Sequence, residues 1–154
     1  SLEVALITAM EGDLAAPEAR EGSRASPVAV AESLDAHWVE TPVGKVEAKL
    51  SLPAGERPTA LILLVHGMSP NPEVIWEWAC IIEALRERKV AAVLPNLHSC
   101  ERTAPSAASA SDVVEALAAV ATWAGSLCNG CPLLVYGKSW GGARAVEVSA
   151  RLCP

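Results

Sequence analysis

From Val43 onward the chain alternates and then condenses its apolar residues in a way that predicts successive strands and helices. Val46, Ala48, Leu50 and Leu52 alternate with Lys45, Glu47, Lys49 and Ser51, the period of a half-buried strand. Pro53 to Pro58 reads as a turn, and Ala60 to Val65 is a continuous apolar run of strand length, suited to a central parallel strand covered on both faces. Glu73 to Lys89 then places Trp76, Cys80 and Ala84, with Ile81 and Leu85 on the adjoining row, at helical spacing. Val90 to Leu94 is a second short apolar run. Ser111 is a suitable N-cap for a helix from Asp112 to Trp123, Leu133 to Tyr136 is a third apolar strand, and Gly142 to Leu152 is a third helix.

Strand and helix alternating over short loops imply right-handed crossovers and an α/β fold, a mostly parallel sheet with helices on both faces. In such sheets ligands bind beyond the carboxyl ends of the strands. Residues 11 to 36, rich in Ala, Glu, Ser, Gly and Pro, show no sustained period, so residues 1–40 read as an acidic extension or linker and 41–154 as the domain.

Charge sharpens that division. The net charge of -6 belongs to residues 1–40, where eight carboxylates face only Arg20 and Arg24, whereas the rest of the chain is balanced. No basic stripe with interleaved aromatics exists to follow phosphates, which argues against nucleic acid as a partner. The run 60–65 is far short of the ~20 residues of a membrane span. Residues 2–10 lack the basic start of a signal peptide, and with Ser1 rather than Met in first place the true start is expected upstream. Five cysteines, an odd number, suit a reducing compartment and hence the cytoplasm.

Two strand ends carry unusual chemistry. Leu133 to Tyr136 runs into Gly137-Lys138-Ser139-Trp140-Gly141 and at once into helix-forming residues, the strand, turn and helix context in which a Gly-x-Ser-x-Gly serine becomes an exposed nucleophile. Gly137 and Gly141 suit a turn too tight for side chains, and the helix N-terminus favours developing negative charge. The plain alternative is a glycine-rich turn with Ser139 as an N-cap. A phosphate-binding P-loop is a rival for Gly137-Lys138-Ser139, but it needs glycine where this chain has Pro132. The other strand end is His66-Gly67-Met68-Ser69-Pro70-Asn71, directly after the apolar run 60–65.

The succession of apolar strand, His-Gly, helix, strand, helix and Gly-x-Ser-x-Gly resembles the α/β-hydrolase superfamily from about Val43 to the C-terminus, and within it the small cap-poor serine hydrolases such as the alpha/beta hydrolase domain-containing protein fourteen or dienelactone-hydrolase-like groups. The resemblance implies a serine hydrolase acting on an ester, thioester or similar acyl substrate through a Ser139 acyl-enzyme, without a cofactor. It implies backbone N–H groups of Met68 and Trp140 as the oxyanion hole, with His66 shaping the loop. His66, and His98 after the next strand, are candidate pocket residues. In this superfamily the acid and histidine follow the serine, and the chain ends fifteen residues beyond it, so no position matches them. The expected fold is accordingly an incomplete α/β-hydrolase fold lacking C-terminal strands and helices.

Three readings stay open: a fragment of an active hydrolase, a non-catalytic binding or interaction protein, and an enzyme using His98 in a dyad with Ser139. The second would leave the strand before Ser139 as an exposed apolar edge unless another chain covers it. Cys128-Asn129-Gly130-Cys131 has redox or half-zinc spacing but precedes a strand and lacks a second ligand pair, so it reads as a turn, with no metal expected. Trp76, Trp78 and Trp123 read as packing residues, and His37 has no motif context.

Overall fold

The computed structural model describes residues 4–8, 30, 33–69 and 74–153. Six strands, β1 (Val4–Thr8), β2 (Asp35–Thr41), β3 (Gly44–Ser51), β4 (Ala60–Val65), β5 (Val90–Asn96) and β6 (Leu133–Gly137), form one sheet in the order β1-β6-β4-β5-β3-β2. The pairings β1/β6, β6/β4 and β4/β5 are parallel, and β5/β3 and β3/β2 are antiparallel. Among the described residues three α-helices of more than one turn accompany it, α1 (Val74–Glu87), α2 (Ala110–Leu127) and α3 (Trp140–Leu152).

The unbroken apolar strands work because successive side chains serve opposite faces. In β4, Leu61, Leu63 and Val65 join the core under α2 and α3, together with Val120 and Val148, while Ile62 and Leu64 join a second core with Trp78 and Ile82 of α1. Helices therefore cover both faces, as the pattern predicts. Trp78 is buried edge-on against Tyr136, with centroids 5.2 Å apart. Trp123 is half-buried and tilted against His37 of β2 at 5.2 Å. The expectation for Trp76 concerns a side chain outside those described.

The sheet draws β1 and all but the last residue of β2 from residues 1–40, the stretch that reads as an extension. β2 is an edge strand in which only Val39 is buried, so it carries almost no hydrophobic signature and is held by its antiparallel ladder to β3. β1 lies along β6, with Val4 opposite Leu133 and Thr8 opposite Gly137. The strand leading to Ser139 is thus no bare edge, because a segment of the same chain pairs with it.

Helix α2 starts two residues earlier than expected. Its N-cap is Ser109, not Ser111: the Ser109 backbone is extended and its Oγ accepts from the Asp112 N–H at 3.1 Å. The three-residue spacing lets the hydroxyl satisfy an N–H that has no intrahelical partner. Ser109→Ala should cost about 1 kcal/mol in a urea melt, whereas Ser111→Ala should be neutral to within about 0.5 kcal/mol.

Candidate active site

Ser139 occupies the turn between β6 and α3 with φ 55° and ψ -127°. A left-handed φ is unfavourable for a residue with a Cβ and persists only where the surroundings impose it. Here they do. A Cβ on Gly137 would lie 2.2 Å from the Gly141 carbonyl oxygen, and one on Gly141 would lie 2.2 Å from that of His66 and 2.4 Å from that of Val65. The turn is also tied to β4 by the Lys138 N–H, which donates to Val65 O at 3.1 Å. Ser139 is exposed and its side chain makes no capping hydrogen bond, so the hydroxyl is not used to start the helix. α3 begins at Trp140 rather than Gly142, which leaves the Trp140 N–H at the first helical position, without an intrahelical acceptor.

The loop after β4 packs against this turn. A Cβ on Gly67 would meet Lys138 O at 3.5 Å and the Ser139 Cβ at 3.6 Å, which places the Gly67–Met68 backbone beside the serine. Met68 is 55% exposed.

His66 is buried, and its bonds define its tautomer. The Leu97 N–H donates to Nε2 at 2.9 Å, so that nitrogen carries no proton; Nδ1 carries it and donates to Gly67 O at 2.6 Å. His98, on a short 3-10 turn Leu97–Ser99 after β5, donates from Nε2 to Ser69 O at 3.0 Å. The two rings stack with centroids 5.3 Å apart. Among the described residues no hydrogen bond joins either ring to Ser139, and His98 Nε2 is engaged with backbone. The loop carbonyls of Gly67 and Ser69 and the Leu97 amide, which organise this cluster, escape sequence reading because they are backbone groups; the His-Gly dipeptide was their only signal.

Burial pushes the His66 imidazole below its ordinary value of 6.5; the Gly67 carbonyl opposes this and His98 adds to it. The unfolded chain therefore takes up this proton first as pH falls below about 6.5, and the folded state loses stability from there down to its depressed value, by at most about 1.4 kcal/mol per pH unit. Thermal midpoints should drop as pH falls below about 6.5, and His66→Gln, which keeps an acceptor without a titrating proton, should flatten that slope.

Trp140 packs partly against the core, with the Arg144 guanidinium 5.4 Å from its ring centroid, and Arg144 pairs with Glu147 at 3.1 Å. His37 lies on β2 against Trp123, and Cys128 and Cys131 bound the turn before β6, where the Cys131 N–H donates to Cys128 O at 3.4 Å. Burial pushes the Cys128 thiol up to about 12, an unreactive packing thiol. Among the described residues no three His, Cys, Asp or Glu side chains come together as a metal site, and no helix is long and apolar enough to cross a membrane.

No family model matches the sequence, and no curated protein matches it. Solved structures do. A lid-less α/β serine hydrolase from Xanthomonas campestris superposes with a TM-score of 0.62 at 24% identity, over 79% of this chain and 57% of that one. Est1E from Butyrivibrio proteoclasticus gives a TM-score of 0.59 at 18% identity, over 75% of this chain and 45% of that one. A thermostable carboxyl esterase from Bacillus coagulans gives 0.61 at 14% identity, over 75% and 39%. The chain thus spans between 39% and 57% of the length of these three structures. With its parallel central strands and helices on both faces, the chain carries an incomplete α/β-hydrolase fold, the fold of that superfamily.

Proposed function

We propose that Ser139 is the nucleophile of a serine hydrolase acting on a carboxylic ester, thioester or similar acyl substrate. The observation that carries this reading is the backbone of Ser139: a left-handed, exposed serine between a strand and a helix, without a capping bond and enforced by two glycines. Strain of that kind, imposed on a residue whose hydroxyl has no structural use, is characteristic of functional sites. The lid-less serine hydrolase, Est1E, which has also been solved with ferulic acid bound, and the carboxyl esterase support an acyl substrate for the same fold.

In this reading Ser139 Oγ attacks the substrate carbonyl carbon and the carbonyl oxygen becomes an oxyanion, held by the N–H groups of Met68 and Trp140. Preorganised donors of this type are worth about 3 kcal/mol each, because they need no reorganisation as charge develops. The Oγ proton passes to an acceptor outside the described residues as the bond forms. Collapse of the tetrahedral intermediate breaks the bond to the alcohol or thiol, which takes that proton as it leaves. Water then hydrolyses the acyl-enzyme to the acid, returning a proton to Ser139 Oγ. The reading assigns the general base and the acid to no residue of this chain, since the nitrogens of His66 and the Nε2 of His98 serve the loops.

The test follows from that. A fluorophosphonate should modify the chain slowly by itself and faster when free imidazole supplies the proton acceptor, with the adduct on Ser139 by peptide mass mapping. An adduct spread over the other serines would sink the assignment. A non-catalytic binding role is the second reading, favoured by the engagement of both histidines with backbone; it expects no imidazole-dependent adduct.

A further inference from the structure

The hydrogen bond from His66 Nδ1 to Gly67 O does more than hold a loop. The Gly67 carbonyl and the Met68 N–H belong to one planar trans peptide, so they point in opposite directions and a fixed oxygen aims the amide hydrogen. A second imidazole secures the other side of Met68. His98 donates from Nε2 to Ser69 O at 3.0 Å, and because a carbonyl can only accept, the proton of this bond belongs to the histidine. Met68 therefore sits between two carbonyls that are each held by an imidazole.

The holder is better anchored than the loop it holds. His98 follows Leu97, which is fully buried, and its own N–H donates to Asn96 Oδ1 at 3.2 Å. Its ring lies nearly parallel to that of His66, at 17°, and the Leu97 N–H closes the arrangement by donating to His66 Nε2. Each histidine thus reaches from its own strand-end loop to the other. The loop they brace is exposed at Met68 and Ser69, and a Cβ on its Gly67 would lie 3.6 Å from the Ser139 Cβ.

We infer that His98 is a positioning residue for the oxyanion loop: through Ser69 O and its stack on His66 it keeps the Met68 N–H in the direction that Ser139 requires. The inference rests on the serine hydrolase reading. No hydrogen bond joins His98 to Ser139 among the described residues, and in this inference it acts through the loop backbone.

Two variants separate the ring from its proton. His98→Phe keeps an aromatic face for His66 and loses the donor, whereas His98→Gln regains a side-chain N–H. His98→Phe should lower the amide order parameter of Met68 from about 0.85 toward 0.6. It should also slow imidazole-assisted modification of Ser139 by about tenfold or more, and His98→Gln should recover the rate to within about threefold of the original. A Phe variant with an unchanged Met68 order parameter and an unchanged rate overturns the inference. If the unaltered chain forms no adduct at Ser139, the hydrolase reading fails by itself, and the order parameter still judges whether His98 holds the loop. Should His98→Phe not fold, nitrogen NMR of the unaltered protein decides: a His98 ring protonated at Nε2 with a slowly exchanging proton supports the bond, and a ring protonated at Nδ1 overturns it.

Discussion

Ser139→Gly should abolish the fluorophosphonate adduct and at the same time stabilise the fold. At φ 55° and ψ -127° the serine Cβ is crowded by its own backbone. Strain of this kind costs of order 1–3 kcal/mol, whereas glycine adopts such angles freely and forfeits roughly 0.5–1 kcal/mol in unfolded-state entropy. The expected net gain is about 1 kcal/mol, or about 3 °C in the thermal midpoint. Ser139→Ala should lose the adduct equally but leave stability within about 0.5 kcal/mol, because the strain stays and the exposed hydroxyl made no capping bond. A serine that merely capped α3 would behave in the opposite way, with Ala costing about 1 kcal/mol and Gly a few tenths. Calorimetry on the three proteins, read beside adduct mapping, therefore separates a strained nucleophile from a helix cap.

Gly141→Ala should be among the most damaging single substitutions in the chain. The added Cβ would fall 2.2 Å from His66 O and 2.4 Å from Val65 O, and both atoms are backbone at the end of a central strand. Neither can swing aside, so either α3 lifts from the sheet or β4 shifts along with the loop that carries Gly67 and Met68. Overpacking of ordinary side chains costs about 1–3 kcal/mol, and a backbone clash this close should reach at least the top of that range. Gly125→Ala provides the control. It lies in α2 with nothing within 4 Å of a new Cβ, so the same chemical change should stabilise by about 0.5–1 kcal/mol. Urea melts of the pair should shift in opposite directions. Equal shifts would mean that the close approach of α3 to the end of β4 does not exist in solution.

Much of this protein is legible along the chain because burial on two faces leaves a one-dimensional trace. The runs 60–65, 90–94 and 133–136 are apolar at every position since each strand feeds one core with alternate residues and a second with the rest. The Gly-x-Ser-x-Gly turn is legible because its glycines are required by local collisions that any such turn would meet. The edge strand β2 leaves no such trace, because it buries only Val39. β1 does carry a short apolar run, Val4 to Ile7, but its place in the sheet is set by pairing with β6, more than a hundred residues later, which no local pattern shows. The choice of Ser109 over Ser111, by contrast, has a local sign, since Ser109 is followed three residues on by Asp112 and Ser111 by Val114.

The site divides along the same line. Composition and order alone determined a strained serine at a strand end and a His-Gly loop after a neighbouring strand. Only the tertiary structure decided that Gly67 lies against Ser139, that His66 is a neutral ring protonated at Nδ1, and that the Nε2 of His98 is committed to Ser69. Those are relations among backbone groups of three separate strand ends. Their energy comes from satisfying buried polar atoms across space, for which the sequence carries no periodic sign.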